Sequence, residues 1–373
     1  MLQNLVGNGF VEKNKFGFQI LRSKKTDLLY NLIRICLSNQ INYNDLLDES
    51  LANFVSKAFL KKRFSMNDFD IDPRRIIKYV NILEKYGLII ILSRKPMKAT
   101  IPYNSFLKNL LLFYNQKVFV AKLKEDEYYN EIEKELKLFR QLSKRNEEKY
   151  QEIISDFEIR FIQHSLSLEG NPITIPDTIK LLREKIVAKD LSLESVMEVQ
   201  NYQKAMQEMI KDSQGNIPLT KALILNYHYI ATQYWPDIAG KIRKQMVRIK
   251  GNPDYKISKV AEIDKRLEAL MDKYNSFIKK KNMLKNIFEF AAYFHNEFQH
   301  IHPFRDGNSR TTRLITFHLL RTQNVPIFDF PFGLLEEYLS LTKGAKKRDD
   351  NKLNQVFQRI ILANLKVINK KLS

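Results

Sequence analysis

Residues 301–314, IHPFRDGNSRTTRL, constrain this chain more than any other stretch. An imidazole, a carboxylate, a Gly-Asn turn and two arginines three residues apart share one short segment. The run Arg310–Leu320 that follows has helical periodicity, with Leu314, Phe317 and Leu320 spaced for one face. The spacing predicts a loop that becomes a helix at Gly307, so that Gly307, Asn308 and Ser309 stand at a helix N-terminus. Free N–H groups and the positive dipole end attract anions there, and a glycine admits an oxygen close to the backbone.

Arg310 and Arg313 are then expected to project from the same side of the first turns and to clamp phosphate oxygens in fork geometry. Asp306 supplies a hard oxygen for Mg²⁺ beside the cradle. His302 is the neighbour able to accept a proton near neutral pH. Such a set suits attack by a hydroxyl on a nucleotide phosphate, with metal and arginines carrying the leaving group's charge.

The remaining sequence narrows the setting. With 373 residues and 44% hydrophobic content the chain can fill two or three cores. Its single cysteine, Cys36, lies in an apolar run, which leaves no disulfide framework or cysteine-based zinc site and agrees with a reducing, cytoplasmic location. The N-terminal residues lack a signal-peptide pattern, and no apolar run is long enough to span a bilayer, so no membrane association is expected. The formal charge is +20, and residues 1–117 hold half of it, with 19 Lys+Arg against 9 Asp+Glu. Such a field favours polyanions, although a generally Lys-rich composition accounts for it equally well.

Three parts are expected. Residues 1–117 are basic and mix helix with strand patterns. Residues 118–154 carry mixed charge, helical leucine spacing and no Gly or Pro, as a long exposed connecting helix would. Residues 155–373 read as helices. Within the first part, Asp72 and Pro73 open a helix whose apolar face is Ile76, Ile77, Val80 and Leu83 and which Gly87 ends. Leu88–Leu92 and Met97–Tyr103 then form a hairpin tipped by Arg94 and Lys95. Helix, hairpin and basic tip over residues 25–110 resemble a winged-helix domain. The resemblance implies DNA contacts from Arg74, Arg75, Lys78, Arg94 and Lys95, or else a winged fold serving as a scaffold or protein contact. The stretch FSMNDFDID is short for the helix that should precede the recognition helix.

HPFRDGNSRTTR is similar to the signature of the Fic family, His-x-Phe-x-(Asp/Glu)-Gly-Asn-Gly-Arg-x-x-Arg, at every defined position except Ser309. The resemblance spans about residues 155–345. It implies a mainly α fold: a Fic-type helical core with a β-hairpin flap, preceded here by the winged-helix-like α+β domain. It implies transfer of AMP from ATP to a Ser, Thr or Tyr hydroxyl of a protein, this chain included. His302 would be the general base and Asp306 the ligand of Mg²⁺, or of Mn²⁺ in its place. Gly307 to Ser309 and the Asn308 side chain would hold the α- and β-phosphates, Arg310 the γ-phosphate and Arg313 the β-phosphate, with Phe304 a core anchor. Ser309 narrows the cradle or adds a hydroxyl donor, which puts nucleotide preference in question.

Upstream, HSLSLEGNPITIP at residues 164–176 reads by itself as a helix stopped by Gly170 and Pro172. Ser165 and Glu169-Gly170 also resemble the family's inhibitory motif, (Ser/Thr)-x-x-x-Glu-(Gly/Asn), on a helix near 155–169. That implies Glu169 paired with Arg310 where the γ-phosphate belongs, a homodimer contact over this helix as in some members, and a second activity in which Glu169 orients a water to remove AMP. Gly240–Gly251 reads as a hairpin carrying Ile242, Val247 and Ile249, the flap that would register the target. His295 and the stretch Glu198–Ala205 read as core, and the resemblance puts Tyr338 at the adenine wall. Two competing readings are a DNA-binding regulator whose enzyme core modifies itself or a partner, and an enzyme of the same fold using another nucleotide.

Overall fold

A computed structural model describes every residue except 1–5, 8, 62, 119–127, 250 and 327–328. The chain is mainly helical and divides into two units, Met1–Leu123 and Lys124–Ser373.

The first unit opens with a hairpin, β1 (Val11–Asn14) and β2 (Gly17–Ile20), in antiparallel register Val11 to Ile20. Helices α1 (Lys24–Ser38), α2 (Tyr43–Leu46) and α3 (Glu49–Phe59) follow, the first capped by Ser23 and the third by Asp48. Cys36 is fully buried on α1. A two-residue strand, β3 (Phe64–Ser65), leads through a single 3₁₀ turn at Met66–Asp68 to α4 (Pro73–Lys85), capped by Asp72 with Pro73 in its first turn. The buried face of α4 is Ile76, Tyr79, Val80 and Leu83, spaced i, i+3, i+4, i+7, whereas Ile77 falls one step round the helix and is 47% exposed. That corrects the expected stripe.

After Gly87, at φ 66°, strands β4 (Ile90–Arg94) and β5 (Met97–Thr100) pair antiparallel, and β3 adds to β5. Arg74, Arg75, Lys78 and Lys95 are exposed. Arg94 does not extend freely from the hairpin tip: it turns back to Glu84 at 2.5 Å. Helix α5 (Ser105–Phe113) closes the unit.

In the second unit the mixed-charge stretch is not an exposed connecting helix. Residues 119–127 of it lie outside the described residues. The rest forms α6 (Tyr129–Arg145) and the start of α7 (Glu147–Ser167), broken at Asn146. Ile132, Leu136 and Phe139 of α6 are buried, and α6 packs along the final helix, α15 (Asp350–Leu372). Their spacing is an amphipathic stripe, and the charges occupy its outer face.

The core of this unit is assembled from α8 (Ile175–Ile179), α9 (Leu193–Gln214), α10 (Lys221–Thr232), α11 (Ile263–Ile278), α12 (Leu284–Ile301), α13 (Asn308–Thr322) and α14 (Leu335–Leu341). Helix α13 is packed against α9, α10 and α12, and Arg310 through Leu320 are all buried. The expected single apolar face is therefore a helix buried on every side. Two of its threonines satisfy themselves by bonding back one turn, Thr312 Oγ1 to Asn308 O at 2.7 Å and Thr316 Oγ1 to Thr312 O at 2.8 Å. Among the described residues no helix is long and apolar enough to cross a membrane.

Candidate active site

Helix α12 ends at His302, whose φ of 50° turns the chain out of the helix while its N–H still bonds Phe298 O at 3.0 Å. Phe304 is fully buried two residues on. The amide of Asn308 grips this phenylalanine's backbone at both ends: Phe304 N–H donates to Oδ1, and Nδ2 donates to Phe304 O, each at 2.9 Å. The Asn308 side chain thus fastens the loop, with one of its two Nδ2 hydrogens used in doing so. Gly307, at φ 76°, is required twice over: a Cβ there would stand 3.0 Å from both His228 Nε2 and Thr232 Cγ2.

His228 is a site residue that the sequence spacing passed over. Its ring stacks on Phe304 at 3.6 Å and 9°. Gly240 N–H donates to Nδ1 at 3.0 Å, which leaves the proton on Nε2 to donate to Asp306 O at 2.9 Å. Burial lowers its pKa to about 4, so the ring is neutral and its tautomer is set.

Arg243 is a second omission, one basic residue among five in GKIRKQMVRIKG and indistinguishable there by type. It is 4% exposed, donating from Nε to His302 O at 2.7 Å and from Nη2 to Ser258 O at 2.6 Å, while its N–H meets Pro303 O at 2.9 Å. The strand pairing expected within residues 240–251 is accordingly directed elsewhere. Ile242 bridges antiparallel to Phe304, and Val247 and Ile249 lie in no strand. Residue 250 of that stretch lies outside the described residues.

His302 is 8% exposed. Its Nδ1 faces Gln299 O at 3.3 Å, so Nδ1 carries the hydrogen and Nε2 the lone pair. Burial, helped by the Arg243 charge, lowers its pKa to about 4, and the imidazole is a free base at neutral pH.

The two arginines do not share partners. Arg313 donates from Nε to Ser165 Oγ at 2.6 Å and from Nη2 to Ser165 O at 2.9 Å and Glu169 Oε1 at 3.0 Å. Ser165 Oγ in turn donates to Tyr202 OH at 2.9 Å. Glu169 sits in the turn just past α7, and its other oxygen accepts from Lys343 Nζ at 2.7 Å. Burial alone would raise the Glu169 pKa, but Arg313 and Lys343 outweigh it and bring the value to about 2.

Arg310 is held instead by Glu198, by Tyr234 OH at 3.0 Å and by Asp306 Oδ1 at 2.7 Å. The expected Glu169–Arg310 pair is therefore replaced by Glu169–Arg313. Three residues along a helix turn the side chain by roughly 60° from its neighbour. That rotation aims Arg313 at the end of α7 and Arg310 at α9 and the turn that follows α10.

Asp306 is exposed, and its carboxylate now rests on Arg310 and on the Gly307 N–H. Ser309 is partly buried at the first turn of α13. His295 and Tyr338 bond each other at 2.8 Å in the core, at 1% exposure each.

Residues 218–320 match the Fic/DOC family model. The chain is 27% identical over 190 residues to the protein adenylyltransferase Fic of Drosophila persimilis, covering 50% of this chain and 36% of that protein. The protein of the same name from Drosophila melanogaster is also 27% identical, with 50% and 37% covered. The chain thus spans a little over a third of the length of these curated relatives. Among solved structures, a Fic domain containing signaling protein from Bacteroides thetaiotaomicron superposes with a TM-score of 0.57 at 22% identity, covering 65% of this chain and 97% of that one. Fic-1 from C. elegans superposes at 0.52 and 19%, covering 64% and 71%. The loop from His302 to Gly307, α13 as far as Leu320 and the α10 histidine that braces them fall inside the matched segment, and this protein carries a Fic/DOC family domain at residues 218–320.

Proposed function

We propose that this protein transfers AMP from ATP to a hydroxyl of a protein, itself included, and that Glu169 restrains the reaction by occupying Arg313. The observation that carries the reading is the pairing of a neutral, buried His302 with two buried guanidinium groups on the first turns of α13, one of them held by a carboxylate from a separate helix end. His302 Nε2 takes the hydroxyl proton, the hydroxyl oxygen bonds to the α-phosphorus, and the bond from that phosphorus to the bridging oxygen breaks to release pyrophosphate. Arg310 and Arg313 offset the charge of the leaving group.

The α13 N-terminus leaves the N–H groups of Ser309 and Arg310 unpaired within the helix, as an oxyanion site requires. Asp306 is one exposed carboxylate beside that site, a donor set that fits Mg²⁺, which binds through one or two carboxylates plus substrate phosphates. When bound, the ion would neutralise phosphate charge at Asp306.

Glu169 and a phosphate oxygen are rivals for the Arg313 fork, and tethering gives the carboxylate a high effective concentration. Intact-mass measurement after incubation with ATP and Mg²⁺ tests the reading. Glu169→Gly is expected to gain the AMP mass, wild type to gain far less and Glu169→Gly/His302→Ala none. Equal masses for all three would sink it.

For the first unit, the exposed set Arg74, Arg75, Lys78 and Lys95 favours a polyanion such as DNA as partner. Arg94 is omitted from that set because Glu84 neutralises it.

A further inference from the structure

We propose that Glu198, assisted by Tyr234, is the positioning residue of Arg310, turning one edge of its guanidinium toward the triphosphate. This rests on the transfer reading above. Arg310 is 3% exposed, and its guanidinium has five N–H bonds to place. Both hydrogens of Nη1 are used, one by Glu198 Oε1 and one by Tyr234 OH at 3.0 Å. The opposite edge, formed by Nε and Nη2, presents the two parallel N–H bonds that match a pair of phosphate oxygens. Among the described residues, Nε on that edge is buried without a partner, and Nη2 holds only Asp306, at 2.7 Å.

The two carboxylates on Arg310 are unlike. The Asp306 side chain is 53% exposed and stands on the loop, so an incoming phosphate can displace it. The Glu198 side chain is 14% exposed and stands on the long helix α9. Its second oxygen accepts from Asn171 Nδ2 at 2.6 Å, and the same amide nitrogen also donates to Ser195 O at 3.2 Å. Glu198 is thus braced on the side away from Arg310 and stays when substrate arrives, while Asp306 yields Nη2. A buried donor left open at Nε then acquires the oxygen it lacks. Asn171 lies two residues beyond Glu169, so the carboxylate that orients Arg310 is tied to the turn whose carboxylate occupies Arg313.

The test measures self-modification kinetics with labelled ATP and Mg²⁺ in the Glu169→Gly background. Glu198→Ala is expected to raise KM for ATP by about tenfold or more, the usual effect of losing a hydrogen bond to a charged group. Glu198→Gln keeps an oxygen for Nη1 and is expected to recover most of that loss. Tyr234→Phe, which removes only the second Nη1 partner, is expected to raise KM by about threefold. A residue needed only for folding would lower kcat through the active fraction and leave KM unchanged. That result, or a KM that falls in Glu198→Ala, overturns the assignment while the transfer reading stands. Absence of both adduct and ATP binding in the Glu169→Gly parent overturns the transfer reading and this assignment with it.

Discussion

Replacing Glu169 by Gln preserves its volume and an oxygen facing Arg313, but deletes the charge that Arg313 and Lys343 share. In the folded chain the carboxyl lies at about 2 against an ordinary 4.5, burial opposing the depression and the two cations causing it. A difference of that size corresponds to about 3 kcal/mol at neutral pH. Because the Glu169 side chain is 20% exposed and that of Lys343 22%, solvent screening reduces the expected loss to about 1–2 kcal/mol.

The direction with pH follows from the depressed value. The unfolded chain binds the proton first, so the contribution is complete above pH 5 and fades as pH falls from 4.5 toward 2. Urea unfolding followed through Trp235, the single tryptophan and a member of the second unit, measures the gap between wild type and Glu169→Gln. The gap should narrow by about two-fifths between pH 7 and pH 3.5. In parallel, ATP with Mg²⁺ should raise the Tm of the variant more than that of wild type, because the phosphate then competes for Arg313 with a neutral amide instead of a carboxylate. A gap below about 0.5 kcal/mol at pH 7, or one that ignores pH, would refute the claim that this ion pair is a charged, buried competitor for the phosphate site.

Three further outcomes are expected. With His302 held near 4, transfer by Glu169→Gly should be level from pH 8 to pH 6 and decline only as pH approaches 4; a midpoint near 6.5 would place the base in water, contrary to its burial. His228→Ala removes the Phe304 stack and the bridge between Gly240 and Asp306, so urea unfolding should register a loss of about 2–4 kcal/mol, and an unchanged midpoint would show the bridge to be idle. Lys343→Met leaves Glu169 with Arg313 alone, and intact mass should show an AMP adduct between those of wild type and Glu169→Gly; an adduct no greater than wild type would assign Glu169 to Arg313 without help.

Much of the site was legible because its parts are close in the chain. A histidine, a carboxylate, a glycine and two arginines within twelve residues carry their own geometry once the chain becomes helical at Gly307. The helix end at Glu169 was legible for the same reason, from Gly170 and Pro172 just beyond it. What the spacing misjudged was direction. Arg310 and Arg313 look equivalent in one dimension, and the rotation between them, which sends one to Glu198 and the other to Glu169, depends on which helices lie on each side. Arg243 and His228 were invisible for a related reason. A buried arginine that feeds backbone carbonyls and a neutral histidine that bridges two loops have the same letters as a surface cation and a core ring.

The mixed-charge stretch shows the same division. Its stripe of Ile132, Leu136 and Phe139 already specified an amphipathic helix, but only α15 lying alongside made it part of the second unit. The hairpin expected over residues 240–251 had the right alternation, yet Ile242 found its strand partner in Phe304, far along the chain. Local order, the turn at Gly307, the helix starts at Asp72 and Ser23 and the reactive groups themselves were written in neighbouring residues, where capping and backbone sterics act over a few bonds. Which carboxylate neutralises which buried arginine was decided only by packing. A charge removed from water must take whichever partner the fold brings within hydrogen-bond reach.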